Sequence, residues 1–598
     1  MIAPVAPVPR PAKRPASLER RLRAAAGSVA GVRWRAALPL LFFVVAALLF
    51  FKLAWGSPAT TNIGDGGDPT QTMWFLRWTA YAVTHFINPL LTTRLNHPFG
   101  VNLMWNTAML FPGLLLTPIT LTLGPMVAYN ILVTGSIALS GWCCYLLIKR
   151  FVPLEAAALL GGVIYAFGPY MVAHAQGHAA LISGYFPALV ALLLHDLLVR
   201  RSRSPAWCGT MLGLLGAAQV LTGEELLTST VLITAVMVAL LAATNQERVG
   251  AAARRVVAAL PTFAAAFLVI AGPAIVFQLA GPKRVSGSIQ PADVYVTDLF
   301  NLVIPTASQQ LQPQGGAELA QGWSGGLAEW NGYIGVLLLA LLAVVAVRRW
   351  RHPVVRITVL TGLAAVLLSL GPELHVAGHR TGIILPWRLI DGLPVVSSME
   401  PGRLMLYADL AVALLAAFAV EMMSLARGRL RLLPAMAITA IAAVPLLPVV
   451  PNPATTVPIP AFFTDGSVQH AVPADTVVLL LPYSDIFRPM LWQAQAGLDF
   501  QRPGGYFTGP DATGHASNGS PPSTLTDTLS AIEGGQHIPV TADLRTRMLG
   551  DMTALGVQAV VLGPTDHQSD VEGAVTALLG HPPEAIDGVL LWRDARPS

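Results

Sequence analysis

Charge is scarce in this 598-residue chain. Asp, Glu, Lys and Arg together make up 12% of it, where a soluble globular chain carries roughly 25%. With 54% hydrophobic residues, that composition excludes an ordinary soluble protein and reads as a membrane protein. Cysteine is nearly missing as well: Cys143, Cys144 and Cys208 all lie inside apolar runs, so neither a secreted disulfide framework nor a thiolate metal site can be read from them. The first apolar run is not followed by a small-residue cleavage site, and a removed leader is not expected. A basic, aromatic-interleaved soluble face is also missing. The formal charge of +5 sits mostly at the ends of apolar runs, and nucleic acid is not expected as a partner.

What the chain does have is long apolar runs, close to the ~20 residues a helix needs to cross about 30 Å of hydrocarbon. They cover residues 36–55, 126–148, 156–173, 181–199, 206–222, 226–243, 256–280, 334–347, 354–370, 404–426 and 432–450. Basic clusters separate them: the tail to Arg35, Lys149/Arg150, Arg200/Arg201/Arg203, Arg248 to Arg255, Arg348 to Arg351 and Arg427 to Arg431. Placing all six on the cytoplasmic side gives about 11 transmembrane helices, a cytoplasmic N-terminus and an extracytoplasmic C-terminus. A further apolar segment, 105–123, would break that orientation. It carries Pro112 and Pro118 at helix-breaking positions and is expected to dip into or lie on the outer leaflet. The segment before it, TQTMWFLRWTAYAVTHF, mixes Trp74, Trp78 and Tyr81 with Arg77 and His85 and reads as an interfacial amphipathic helix.

The domain reading follows. Residues 1–35 form a disordered basic cytoplasmic tail, 36–450 a transmembrane domain with a large first outer loop at 56–125, and 451–598 a small extracytoplasmic α/β domain. The last is predicted from β-type runs TVVLLLP, QAVVLG and GVLLWRD alternating with the helical SDVEGAVTALLG.

Three sets of residues could carry chemistry on the outer side. Asp65 and Asp68 stand in GDGGDP, directly after the first apolar run. A carboxylate there can act as a general base toward a hydroxyl, with glycines admitting close backbone approach; a solvated acidic turn is the plain alternative. His174 and His178 of AHAQGH and Glu224 and Glu225 of TGEE stand at outer helix ends, where ionisable groups at membrane depth are costly and become binding candidates. A divalent metal is left open, because no stretch has a specific ligand spacing. Arg388 and Arg403 bracket the apolar loop LPWRLIDGLPVVSSMEPGRL, where a guanidinium suits a phosphate bidentately or snorkels to headgroups.

Taken in order, GDGGDPTQTMWFLRW, NHPFGVNL, AYNILVTGSIALSG, FGPYMVAHAQGHAALISGYFPAL, EWNGYIG, SLGPELHVAG, LPWRLIDGLPVVSSMEPGRL, VVLLLPYSD and LGVQAVVLG resemble the GT-C superfamily of membrane glycosyltransferases, within it YfhO-like bacterial membrane proteins. The resemblance implies an α-helical polytopic GT-C-like fold and transfer of a sugar from a polyprenyl-phosphate donor to a cell-envelope glycan, lipid or protein acceptor. It implies Asp65 as catalytic base with Asp68 as alternate, and adds Glu329 of EWNGYIG to a substrate-binding set with His174, His178, Glu224, Glu225, Arg388 and Arg403. It requires no soluble cofactor. A lipid or glycan transporter and a noncatalytic envelope-assembly protein are the competing classes; paired repeats of the transporter kind are not evident.

Overall fold

In a computed structural model, residues 37–244, 246–393, 395–425 and 431–595 are described. The tail expected over 1–35 and the basic residues 427–430 lie outside them. The described chain is mostly helical up to Leu446 and mixed after it. Four helices are long and apolar enough to cross a membrane: Pro125–Ile148, Glu224–Thr244, Val249–Ala280 and Pro401–Leu425. Six shorter apolar helices accompany them: Ala37–Phe50, Leu110–Leu123, Glu155–Ala166, Val336–Arg348, Pro353–Ser369 and Leu432–Leu446.

Proline positions explain several boundaries. Pro69, Pro125, Pro205 and Pro353 each open a helix, where the missing N–H would be unpaired in any case. The run expected at 156–173 is not one helix. It stops at Ala166, and a separate six-residue helix, Pro169–His174, starts after Gly168, because Pro169 cannot donate into the preceding turn. The expectation at 105–123 also changes: Leu110–Leu123 is helical straight through Pro118, and Pro112 sits harmlessly in its first turn. Its 14 residues measure about 21 Å at 1.5 Å per residue, short of a bilayer core.

The segment expected to lie at the lipid interface is a helix, Asp68–Thr84, but its tryptophans are enclosed by protein. Trp74 is 0% and Trp78 2% exposed, and the Trp74 indole donates to Gln493 Oε1 at 2.8 Å. The helix packs on Leu110–Leu123 and on Arg488–Gln495 of the C-terminal region. An indole needs a partner for its N–H when buried, and here the tail supplies one.

The C-terminal region holds a four-stranded sheet in the order Glu584–Ile586, Val589–Trp592, Ala559–Leu562, Val478–Leu481. Ala559–Leu562 runs parallel to Val478–Leu481 and antiparallel to Val589–Trp592. The parallel pair Val478–Leu481 and Ala559–Leu562 is buried along its whole length, as continuous apolar runs covered on both faces should be. Helices Thr524–Glu533, Ala542–Ala554 and Gln568–Leu579 supply the apolar core on one face, and Phe462, Phe463 and Trp492 the other. A short strand before this sheet, Ala454–Thr456, pairs antiparallel with Thr61–Ile63 in the loop after the first apolar helix. Arg94 adds an ion pair to Asp475 at 2.6 Å. The first loop and the tail are therefore stitched together.

Candidate functional site

The GDGGD turn is positioned by three polar side chains. Asn130, fully buried on helix Pro125–Ile148, accepts from Ile63 N (3.0 Å) and donates to Thr61 O (2.9 Å). Asn62 donates to the Asp65 carbonyl at 2.7 Å, and Thr455 of the tail to Gly64 O at 2.7 Å. Gly64 is obligatory: its φ is +88°, and a Cβ there would stand 2.1 Å from the Gln176 carbonyl oxygen. That close approach lets Asp65 N donate to Gln176 O at 2.9 Å, laying the turn directly against AHAQGH.

The two acids then diverge. Asp65 closes its own turn, accepting from Gly67 N at 2.9 Å, and remains open to solvent on one side. Burial by the surrounding protein raises its carboxyl above the ordinary value, opposed by the Gly67 N–H; the Asp68 charge raises it further and His178 lowers it. Asp68 opens helix Asp68–Thr84 and meets His178 Nε2 at 3.2 Å; the Tyr506 hydroxyl of the tail also bonds it.

From Asp68 the polar contacts form a chain. His178 Nδ1 lies 2.9 Å from His174 Nδ1, and His174 Nε2 lies 3.2 Å from Asn331 Nδ2. An amide nitrogen can only donate, so His174 accepts at Nε2 and carries its proton on Nδ1. His178 then accepts at Nδ1 and donates from Nε2 to Asp68. His178 Nδ1 also stands 3.9 Å from Glu329 Oε1. Donor atoms of His174, His178 and Glu329 lie within 4.8 Å of one another, a set of nitrogen and oxygen ligands that a divalent cation accepts in place of the shared proton.

Glu329 links this group to Arg403. The guanidinium lies 3.7 Å from Glu329 Oε1 and 2.7 Å from Glu400 Oε2, and it donates to Glu225 Oε2; Glu225 Oε1 in turn accepts from Glu400 N at 3.1 Å. Burial raises the Glu400 carboxyl, with Arg403 opposing and Glu225 and Glu329 adding to the rise. Asp65, Asp68, Glu225, Glu329 and Glu400 thus stand against one arginine, and the cluster is acidic overall.

Six of the residues singled out from the sequence beyond Asp65 are placed as follows. Asp68, His174, His178, Glu225, Glu329 and Arg403 come together with Asp65. Glu224 does not: it turns to the long helix Gln246–Ala280 and accepts from Gln278 at 2.9 Å. Arg388 does not either. It is largely exposed, pairs with Asp391 at 3.2 Å, and lines a separate cavity of about 430 Å³ with Asp293 and Glu373. Residues not singled out include Asn331, Glu400 and Tyr506, along with Asn130. Asn331 had a signal in its spacing from Glu329; Tyr506 had none, because its role comes from the docking of the tail.

The fold has solved counterparts. The arabinofuranosyltransferase AftD from Mycobacteria aligns with a TM-score of 0.51 at 16% identity, over 95% of this chain and 40% of that one. The oligosaccharyltransferase AglB from Archaeoglobus fulgidus aligns at 0.49 and 12% identity, over 89% of this chain and 69% of that one. ArnT from Cupriavidus metallidurans, bound to undecaprenyl phosphate, aligns at 0.49 and 13%, over 94% and 99%. This chain spans about two fifths of the length of AftD, and the likeness to AftD is one of fold. No curated protein matches the chain. A family model does: it is described as a domain of unknown function, DUF6311, and it matches residues 39–445, so the chain belongs to the DUF6311 family.

Proposed function

We propose that the chain is a membrane glycosyltransferase that moves a sugar from a polyprenyl-phosphate donor to a cell-envelope acceptor on the extracytoplasmic face. The carrying observation is convergence: acids of the first outer loop, the histidines near residue 175, Glu329 and Arg403 reach one cluster from four distant parts of the chain. A solvated acidic turn would need no such partners. The AftD-like fold points the same way.

In this reading Asp65 is the general base, since it is the acid left open to solvent, and Asp68 is the alternate, held by His178 and Tyr506. The carboxylate takes the acceptor hydroxyl proton as the oxygen attacks the anomeric carbon. The carbon–phosphate oxygen bond breaks through an oxocarbenium-like state with inversion, and the phosphate leaves with its electron pair. Arg403 could offer that phosphate a guanidinium, but three carboxylates already surround it. An anionic donor approaching so acidic a cluster is repelled unless positive charge is added. His174, His178 and Glu329, with Asp68 beside them, are the residues that would hold a divalent cation, which when bound supplies that charge.

The test is Asp65→Asn and Asp68→Asn in the producing cell, with envelope glycan analysis and immunoblotting for protein level. Loss of a glycan component at normal protein level supports the reading; unchanged glycans sink it. Altered export of a labelled lipid with intact glycans would favour a transporter instead.

A further inference from the structure

A cleft of about 260 Å³ opens where the GDGGD turn meets the C-terminal region. Gly66 forms one wall, residues 455–458 a second, and Asp485, Phe487 and Arg488 the third. We propose that this cleft binds a neutral sugar ring, that of the acceptor, laid against Phe487 beside Asp65; the word acceptor rests on the sugar-transfer reading above, while binding does not.

Four features carry the proposal. The first is position. A point one Cβ bond from Gly67 lies 3.4 Å from Asp65 Oδ1 and 3.6 Å from the Phe487 ring, so the aromatic edge and the carboxylate flank the same spot. Added atoms at Gly66 would meet only Thr455 Cγ2, at 3.6 Å, which leaves that wall open.

The second is charge. Arg488 Nε is bonded to Asp485 Oδ2, and Asp485 Oδ1 accepts from Phe487 N at 3.0 Å and Arg488 N at 2.9 Å. The pair is fixed and mutually neutralised, so the cleft offers no net charge to a free phosphate or an acidic polymer. It offers carboxylate and guanidinium edges instead, which suit hydroxyl groups. The third is the mixture of surfaces. An alkyl chain calls for continuous apolar lining, but here two threonines and the ion pair interrupt Val457, Pro458 and Phe487. One apolar ring beside polar groups matches a sugar, whose C–H face is apolar and whose rim is hydroxyls.

The fourth is size and support. The volume equals roughly nine waters at about 30 Å³ each, on the scale of one monosaccharide rather than a peptide. Phe487 is held edge-on by Tyr506, with centroids 4.9 Å apart, and Tyr506 is the residue whose hydroxyl bonds Asp68. The platform is therefore braced by the same side chain that contacts the acidic cluster.

The experiment is saturation-transfer NMR on the purified full chain in lipid nanodiscs, which avoid sugar-headed detergents. The probes are methyl glycosides of neutral hexoses and pentoses, with inorganic phosphate as competitor. At least one glycoside should bind saturably. Phe487→Ala and Phe487→Leu should weaken it about tenfold or more, whereas Phe487→Trp, which keeps a ring face, should stay near wild type. The assay reads binding with no sugar donor present, so its outcome does not depend on the catalytic reading. The proposal is overturned if no glycoside saturates, if Phe487→Leu binds like wild type while Phe487→Trp is folded, or if phosphate displaces the glycoside at equal concentration.

Discussion

At the scale of single residues, the acidic turn has a stated electrostatic order. Because Asp65 sits above its ordinary value, a base of this kind is active only above that raised value, and the acidic limb of a rate profile should lie above that of a free aspartate. Removing the neighbouring charge with Asp68→Asn takes away one raising cause, so any residual activity should show the limb moved toward lower pH. A profile of sugar transfer against pH for the parent and this variant checks the sign. Arg403 makes a second test. Its partners Glu225, Glu329 and Glu400 are largely shielded from solvent, and a buried pair broken on one side costs about 3–5 kcal/mol. Arg403→Met should lower stability by that order, and adding Glu225→Gln should restore part of it, as read by thermal unfolding of the purified single and double variants.

At the scale of elements, the catalytic candidates depend on a strand of three residues. Thr61–Ile63 is held on one side by Ala454–Thr456 and on the other by Asn130. Asn130→Ala leaves buried backbone groups without partners, at about 1–3 kcal/mol for each group not rescued by water. The expected outcome is a lowered melting temperature together with loss of transfer, although Asn130 touches neither aspartate. Gly64→Ala should do more, since it combines positive-φ strain of about 1–3 kcal/mol with a clash against the Gln176 carbonyl. Proteolysis of the purified variants should show cleavage within 56–70 ahead of the rest of the chain.

At the scale of the whole molecule, the tail is a structural partner of the site as well as an appended region. Tyr506, Thr455 and Gln493 reach across to Asp68, Gly64 and Trp74. The proposed orientation puts that assembly outside the cytosol. Ser569 lies exposed on the C-terminal region, and the native cysteines are buried. Ser569→Cys should therefore be labelled by a membrane-impermeant maleimide in intact cells, or in spheroplasts where an outer envelope blocks access, with little background from the parent chain. Labelling only after lysis would overturn the sidedness, and with it the extracytoplasmic reaction.

Much of the fold could be read from order along the chain because its signals are local. Apolar runs mark the helices, and VVLLL, AVVL and VLLW mark strands that do form a sheet. The same locality explains the misses: the run 156–173 looked continuous until Gly168 and Pro169 divided it, and Trp74 and Trp78 looked interfacial until the tail covered them. The acidic turn itself was legible, since two carboxylates beside an apolar run are conspicuous. Its companions were decided by contacts more than a hundred residues apart: Asp68 with His178, Glu225 with Arg403, Gly64 with Thr455. Glu224 and Glu225 are adjacent in sequence, yet a helix turns neighbouring side chains about 100° apart, and one enters the cluster while the other faces Gln278. By itself the sequence determined a membrane chain with an acidic loop after its first apolar run and a mixed tail, because hydrophobicity is additive along a segment. Only the tertiary structure decided which ionisable groups share a cluster, because that depends on how separate helices pack and which way each side chain then points.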